Sequence, residues 1–287
     1  MRISLCLTLL ALLLGAAGTS ETAAQARRPA PVFVIVLENH ELPEVIGNPE
    51  APFLNRLARR GALAVRYHAV AHPSLPNYLA LVAGSTFGIT EDCLDCTVTG
   101  PNLATQLSRA GISWKAYMGG LPRPCFTRGD SGSYAKRHNP FAYFPAITTV
   151  PRRCARIVPA TRLRADLAAH RLPAFGWLSP NLCQAAHDCP LGAADVYLSR
   201  IVPSIRRRLG PHGLLIVTFD EGVGNAGGGG RVATVLAGPD VPPGLRVRRA
   251  VNHYSLLAAL ERRFGLPFLG AAANAPPLVP WLFGQSH

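Results

Sequence analysis

Acidic and amide side chains come directly after two of the most apolar stretches of the chain. Glu38 and Asn39 follow one such stretch, and Asp220 and Glu221 follow another. Like charges placed side by side are unfavourable unless a cation lies between them. Carboxylate and amide oxygens are the ligands that hard divalent cations take in proteins. The pattern therefore predicts a site for a divalent metal ion, unless each pair simply belongs to a turn.

A serine in the segment HPSLPNY, residues 72–78, has the setting of a nucleophile. Ser74 is predicted at a strand-to-helix junction, where the first N–H groups of the helix and its dipole favour an anion. A serine that attacks phosphorus also needs activation by a metal or base and donors for the phosphoryl oxygens, which Asn39 and Asn77 could supply. The alternative is that Ser74 only caps the helix.

Alternating strands and helices must position these residues. Continuous β-branched apolar runs at 32–37 and 214–219 predict strands buried on both faces. Further strands are expected at 62–70, 112–118, 174–178 and 231–237, and helices at 52–60, 75–82, 102–110, 194–209 and 254–264. This alternation predicts an α/β fold with a parallel or mixed sheet and helices on both faces. Ligands bind such sheets at the carboxyl ends of the strands, where the polar residues lie.

The first 26 residues have the pattern of a secretory signal peptide. Arg2 precedes an apolar run at 5–14, and small residues lead to Ala24-Gln25-Ala26. An uncleaved anchor is the alternative, although the run is shorter than the ~20 residues that span a bilayer. We therefore expect an exported protein, secreted or periplasmic, with residues 27–287 as one domain and an irregular loop region near 119–159.

Export makes the cysteines interpretable, because disulfides persist in oxidising compartments. Without Cys6 in the signal peptide, six cysteines remain, and six allow 15 pairings. The pairing that joins neighbours in the sequence is Cys93–Cys96, Cys125–Cys154 and Cys183–Cys189. A zinc site that includes Cys93 and Cys96 is the alternative.

Composition excludes several classes of protein. A hydrophobic fraction of 48% excludes intrinsic disorder, and 29 Lys and Arg against 16 Asp and Glu give a net charge of +13. A basic surface favours anionic partners such as phosphate esters or lipid headgroups. Since no dense run of Lys or Arg is present, we expect no specific nucleic-acid partner. No segment after the signal peptide is predicted to cross a membrane.

Five sequence elements, taken together, resemble a known family. They are Glu38-Asn39, the 72–78 segment, Ser179-Pro180-Asn181 with His187-Asp188, Asp220-Glu221-Gly222, and Asn252-His253-Tyr254-Ser255-Leu256. Their order resembles the bacterial phosphoesterase family of acid phosphatases and phospholipase C-type enzymes, within the alkaline phosphatase-like superfamily. The resemblance extends from about Val32 to Phe268.

The resemblance implies a doubly wound α/β fold with a mostly parallel central sheet, and metal-assisted hydrolysis of phosphate esters. It implies that Ser74 is the nucleophile and that Glu38, Asn39, Asp220 and Glu221 bind the metal. Residues that would line the phosphate pocket are Asn77, His138, Asn139, Asn181, His187 and Asp188. His72 and His253 are further candidates.

The predicted function is an exported, metal-dependent phosphoric ester hydrolase. The chain is shorter than the larger phospholipases, which favours small phosphate esters as substrates. One alternative is a phosphodiesterase or phospholipase C acting on diesters, including phospholipid headgroups. Another is an anion-binding protein without catalysis, which would have no need for Asp220 and Glu221 beside Glu38.

Overall fold

A computed structural model describes residues 29–282, so the predicted signal peptide lies outside the described residues. The strands are β1 (Val32–Leu37), β2 (Ala62–Ala64), β3 (Tyr67–His68), β4 (Trp114–Met118), β5 (Ile157–Pro159), β6 (Phe175–Ser179), β7 (Leu214–Phe219), β8 (Thr234–Ala237), β9 (Leu245–Val247) and β10 (Val251–Asn252). The α-helices are α1 (Leu42–Val45), α2 (Pro52–Arg60), α3 (Ser74–Ala83), α4 (Leu103–Arg109), α5 (Pro145–Thr148), α6 (Pro151–Cys154), α7 (Arg162–Ala168), α8 (Leu191–Leu209) and α9 (His253–Phe264).

Eight strands form the central sheet in the order β5-β4-β6-β1-β7-β8-β2-β9. Among these strands only β8 runs antiparallel to its neighbours, β7 and β2. Strands β1 and β7 lie side by side in the middle, with Val32 opposite Leu214 and Leu37 opposite Phe219. All twelve of their residues are buried, as their continuous apolar sequence predicts. The predicted fold class, a mostly parallel sheet surrounded by helices, is confirmed.

Helices cover this sheet in two groups. Helix α2 packs with α8, and helix α3 packs with α9 and α4. A buried carboxylate fastens the first pair: Asp195 of α8 accepts hydrogen bonds from the backbone N–H groups of Phe53 and Leu54, at 2.9 and 2.7 Å. Since Ala51 at the N-cap of α2 has no side-chain acceptor, Asp195 satisfies two of the free donors of the first turn.

Two predicted strands differ from the observed ones. The stretch 62–70 forms two strands, because β2 joins the main sheet whereas β3 pairs with β10 in a separate two-stranded sheet. The stretch 231–237 yields a strand only from Thr234, because Arg231 makes an isolated bridge to His68 instead of pairing with the main sheet. Both differences depend on partners that are distant in the sequence.

The region 119–159, predicted to be irregular, contains several short helices. Pro140, Pro145 and Pro151 each occupy the first position of a helical turn, where a missing N–H costs nothing. The disulfide Cys125–Cys154 spans this region, with Cα atoms 5.0 Å apart.

The other two predicted cysteine pairs are also at disulfide distance. The Cα atoms of Cys93 and Cys96 are 5.8 Å apart, and those of Cys183 and Cys189 are 4.7 Å apart. A disulfide between Cys93 and Cys96 leaves no thiolates for the alternative zinc site. Over residues 29–282, no helix has the length and apolar character needed to cross a membrane.

Candidate active site

The Glu38-Asn39 pair and the Asp220-Glu221 pair lie together at the carboxyl ends of β1 and β7. The backbone N–H of Asn39 donates a hydrogen bond to Asp220 Oδ1 at 3.3 Å, which links the two strand ends. Glu38 and Asp220 are fully buried, and Glu221 is 7% exposed. The alternative interpretation of Asp220 and Glu221 as an exposed turn is therefore wrong. The parallel pairing of β1 with β7 brings about a juxtaposition that separate sequence motifs only suggested.

Ser74 is the first residue of α3, and its hydroxyl faces the carboxylates. Ser74 Oγ lies 3.4 Å from Glu38 Oε2 and 3.5 Å from Glu221 Oε1, at the long end of hydrogen-bond distances. The N-cap position belongs to Pro73, which has no side-chain acceptor. Asp92, which lies outside the helix, provides the acceptor instead, because its Oδ1 accepts a hydrogen bond from the Leu75 N–H at 2.9 Å. The capping alternative for Ser74 is therefore not what the structure shows.

Burial sets the ionisation of the three carboxyl groups. It raises the pKa of Glu38 well above its usual value, and the negative charge of Asp220 raises it further. Burial also raises the pKa of Asp220, with a further contribution from Glu221. The pKa of Glu221 is raised by burial and partly restored by the hydrogen bond from His72. Three acidic groups thus share a buried site that disfavours their charged forms, and contacts such as that of His72 with Glu221 offset only part of this effect.

Several polar atoms in this site are buried without a hydrogen-bond partner. They are Asp220 Oδ2, Asn39 Oδ1, His138 Nε2 and Asn139 Oδ1. A bound cation would satisfy free carboxylate and amide oxygens of this kind and offset the charge of the acidic groups. Between residues 29 and 282, no three His, Cys, Asp or Glu side chains are already arranged as a metal cage. The unpartnered Asn39 amide oxygen, beside the carboxyl groups, fits the donor set that a hard cation takes.

Tyr78 and His138 form one wall of the site. The Tyr78 hydroxyl donates a short hydrogen bond to Glu38 Oε1, and the Tyr78 ring stacks on His138 with centroids 5.4 Å apart. His138 Nε2 lies 3.2 Å from Glu38 Oε2, yet the angles do not make a hydrogen bond. Burial, and then the positive charge of Arg137, lower the pKa of His138 well below its usual value. The lowered pKa favours the neutral imidazole form of His138 beside this carboxyl group.

His72 contacts Glu221. Its Nδ1 is 2.6 Å from Glu221 Oε2 and its Nε2 is 2.9 Å from the Gly224 carbonyl oxygen. Burial lowers the pKa of His72, but the hydrogen bonds to Gly224 and Glu221 outweigh it and leave the pKa raised. Because both neighbours accept, the arrangement suits an imidazolium that donates through both nitrogens.

The remaining predicted pocket residues have partners in the loops around the site. The His187 ring centroid is 5.6 Å from that of His138, and His187 Nδ1 is 2.6 Å from Asp188 Oδ1, while Asp188 itself is exposed. Asn139 is fully buried and donates to the Tyr134 hydroxyl at 2.9 Å. The side chain of Asn181 accepts from the Gln184 N–H at 2.8 Å, a contact within its own loop.

Two predicted residues have other partners. The Asn77 side chain accepts from the N–H groups of Val70 and Ala71 and donates to the carbonyls of Ala71 and Pro73, so it holds the loop before Ser74 instead of pointing to a substrate. His253 Nε2 contacts the Asp220 carbonyl oxygen, and its Nδ1 is 3.0 Å from the Tyr67 hydroxyl. Burial lowers the pKa of His253 to about 4. His253 therefore supports the backbone beneath Asp220.

Three residues of the site had no role in the sequence-based prediction. Tyr78 is four residues after Ser74, a spacing that places both on one face of a helix. Asp92 and Arg137 carry no such signal. Arg137 joins three loops: Nε is 3.5 Å from Asp92 Oδ2, Nη1 is 3.3 Å from Asp130 Oδ2, and Nη2 is 3.3 Å from His187 Nε2.

The sheet order and the position of the site at its carboxyl edge define an alkaline phosphatase-like α/β protein. A sequence profile of the phosphoesterase family matches residues 44–267, and the chain belongs to that family, whose members hydrolyse phosphoric esters. Solved structures support the fold. A protein of the alkaline phosphatase superfamily from Vibrio parahaemolyticus superposes with a TM-score of 0.58, at 14% identity, over 87% of this chain and 70% of that one.

Curated relatives point in the same direction. The phosphatidylinositol-3-phosphatase of Mycobacterium tuberculosis is 35% identical over 254 residues, which are 87% of this chain and 82% of that protein. The phosphate-repressible acid phosphatase of Penicillium chrysogenum is 30% identical over 228 residues, 76% of this chain. Its own length is covered to 55%, so the chain spans about half of this fungal relative.

Proposed function

We propose that this protein is an exported, metal-dependent phosphoric ester hydrolase in which Ser74 is the nucleophile. The observation that carries the proposal is the direction of the Ser74 hydroxyl. It faces the oxygens of Glu38 and Glu221, whereas Asp92 caps the helix in its place. A serine whose only task was local structure would bond to its own helix terminus.

The residues that would hold the metal are Glu38, Asn39, Asp220 and Glu221. When bound, a divalent ion supplies charge that lowers the pKa of a nearby hydroxyl and stabilises negative charge on phosphorus-bound oxygens. The chain itself orients the nucleophile: the α3 backbone fixes Ser74, and Asn77 fixes the loop before it. Because Glu38 and Asp220 are fully buried, water is excluded from the part of the site that these residues form.

In the proposed reaction Ser74 Oγ forms a bond to phosphorus, the bond from phosphorus to the alcohol oxygen breaks, and the departing oxygen takes up a proton from solvent water and leaves as the alcohol. The serine proton passes to a neighbouring carboxylate oxygen, for which Glu221 Oε1 and Glu38 Oε2 are within reach. Water then attacks phosphorus, the bond from phosphorus to Ser74 Oγ breaks, the serine oxygen regains a proton and phosphate is released. His138 contacts Glu38, and His72 contacts Glu221, so each of these two carboxyl groups has a histidine beside it.

A second candidate substrate class is the phosphate group of a lipid. The relative from Mycobacterium tuberculosis is named for a phosphoinositide, and it covers most of this chain. At the edge of the site, Val223 follows Glu221 and Gly222 with 69% of its surface exposed. An apolar side chain in that place suits a substrate with an apolar part. A phosphodiester substrate, as in a phospholipase C, stays the other alternative.

Export is proposed on the N-terminal sequence pattern together with the three disulfides. The decisive experiment for activity is a substrate panel on metal-stripped and metal-restored protein. The panel contains p-nitrophenyl phosphate, bis-p-nitrophenyl phosphate, phosphatidylinositol 3-phosphate and phosphatidylcholine. Metal-dependent release of phosphate from the monoesters, absent in Ser74→Ala, supports the proposal. Equal activity of Ser74→Ala and the parent protein would refute it.

A further inference from the structure

Glu41 is three residues after Glu38 and outside the predicted site, yet its side chain spans an active-site loop. Its Oε1 accepts a hydrogen bond from the Gly224 N–H at 3.0 Å, and its Oε2 accepts from the Arg231 N–H at 3.0 Å. The two donors lie at opposite ends of a glycine-rich segment, residues 224–231, which we term the glycine loop. One carboxylate thus closes the glycine loop at both ends.

The backbone of Glu41 is fixed to the same loop. Glu41 forms an antiparallel bridge with Val232, and the Leu42 N–H donates to the Arg231 carbonyl at 2.7 Å. The Glu41 backbone is therefore fixed by its contacts with Val232 and Arg231. The two hydrogen bonds of the Glu41 carboxylate then fix the position of the glycine loop.

The glycines of this region leave room for the Glu41 carboxylate. A Cβ atom on Gly222 or on Gly230 would lie 2.5 Å from Glu41 Oε1, closer than side chains tolerate. On the other side, a Cβ on Gly228 would lie 2.4 Å from the Val70 carbonyl oxygen and one on Gly229 would lie 2.3 Å from that of Ala71. The run of glycines lets the loop fit between Glu41 and the backbone that precedes His72.

The glycine loop in turn holds His72. Its Gly224 carbonyl accepts from His72 Nε2 at 2.9 Å, and His72 Nδ1 is 2.6 Å from Glu221 Oε2. The other oxygen of Glu221 is 3.5 Å from Ser74 Oγ. A continuous series of hydrogen bonds therefore leads from Glu41 through Gly224 and His72 to the carboxylate beside the nucleophile.

We propose that Glu41 is a positioning residue for the phosphoesterase reaction, acting through the Gly224 carbonyl to fix the ring of His72 against Glu221. The inference rests on the proposed function of the site. It adds Glu41 to the residues on which the reaction depends, and it gives the glycine loop a role in positioning His72. Glu41→Gln keeps the shape of the side chain but turns an N–H group toward one of the two backbone donors, so the loop must shift at that end.

The test is a double-mutant cycle on the metal-loaded full chain, with p-nitrophenyl phosphate as substrate. Glu41→Gln in the parent protein should lower kcat about 10-fold with KM within about 2-fold, because ground-state binding is intact. In the background of His72→Ala the same change should alter kcat less than about 2-fold, because the residue through which it acts is gone. Exposed Glu50→Gln is the matched control and should leave both constants unchanged.

Equal effects of Glu41→Gln with and without His72, or no effect at all, would overturn the proposal. Loss of folding in both Glu41→Gln and Glu41→Asp would also overturn it, since Glu41 would then be a general stability element. A second readout is independent of activity: the ¹⁵N resonances of the His72 ring should shift in Glu41→Gln and not in Glu50→Gln. If the parent protein hydrolyses nothing, the proposed function fails, and unchanged His72 resonances in Glu41→Gln separately refute the positioning role of Glu41.

Discussion

Asp92 Oδ1 accepts a hydrogen bond from the Leu75 N–H at 2.9 Å and so caps helix α3 from outside. The serine at the start of that helix is thereby relieved of capping, and its hydroxyl is directed to Glu38 and Glu221. Capping and the catalytic role proposed for Ser74 make different demands on one hydroxyl group, and here the capping falls to Asp92.

That division predicts opposite effects for two substitutions. Ser74→Ala should change the free energy of unfolding by less than ~0.5 kcal/mol, because no capping bond is lost, while turnover falls by about three orders of magnitude or more. Asp92→Ala should cost about 1 kcal/mol of stability, the usual value for a lost cap. Urea unfolding and phosphate release on both variants measure this. A large loss of stability in Ser74→Ala would contradict the assignment.

Asp220→Asn should separate the metal's effect from that of the protein. Since burial and Glu221 raise the pKa of Asp220 to about 7, the unfolded chain releases this proton first, and the metal-free fold loses stability as the pH rises from ~3.9 toward 7. In EDTA at pH 8 the variant should therefore be more stable than the parent by on the order of 1–2 kcal/mol. With divalent metal present the order should reverse, because the variant binds the ion weakly.

Metal content after dialysis and unfolding curves with and without EDTA measure both halves of this prediction. Asp240→Asn, at an exposed carboxylate, is the control and should show neither effect. Retention of tightly bound metal by Asp220→Asn would contradict the proposed ligand set.

The disulfides should differ in their contributions to stability. Cys125 and Cys154 are 29 residues apart, whereas Cys93 and Cys96 are three apart. Loss of the longer loop should cost roughly 3–4 kcal/mol on the chain-entropy estimate, and loss of the shorter about 2 kcal/mol. Paired Cys→Ala variants in urea unfolding measure the difference. The Cys125/Cys154 variant should also lose activity, since His138 and Arg137 lie within that loop; unchanged turnover would count against this.

Glu261 predicts a pH dependence that is unconnected with catalysis. It is fully buried in α9, its Oε1 accepts from the Leu269 N–H at 3.0 Å, and its Oε2 has no partner. Burial raises its pKa to about 8. The unfolded chain loses this proton near pH ~4.3. The stability that protonated Glu261 contributes is therefore complete below that value and is lost as the pH rises toward 8.

Glu261→Gln should remove this loss, because a neutral amide keeps the bond from Leu269 without a titrating proton. The variant should match the parent near pH 4.5 and exceed its stability by on the order of 2 kcal/mol at pH 8.5. Urea unfolding at the two pH values decides it, with Glu50→Gln as the exposed control. A constant difference between variant and parent across the range would show that Glu261 does not titrate in this window.

The sequence by itself determined those strands and helices whose residue pattern is recognisable within one short segment. The apolar β-branched runs of β1 and β7 need no partner to be recognised, because a strand buried on both faces has no polar side. Helix α2 has the predicted bounds of 52–60. The motifs around Glu38, Ser74 and Asp220 indicated the family, and the family profile confirms it.

Only the tertiary structure decided which side chains face one another. Asn77 stands in the most specific motif, yet the loop at 70–73 occupies its side chain. Asp92, Arg137 and Glu41 have no sequence signal, because each acts through partners from 17 to 190 residues away or across separate loops. Hydrogen bonds between distant segments depend on the packed positions of both partners, and residue spacing along a single chain does not specify those positions.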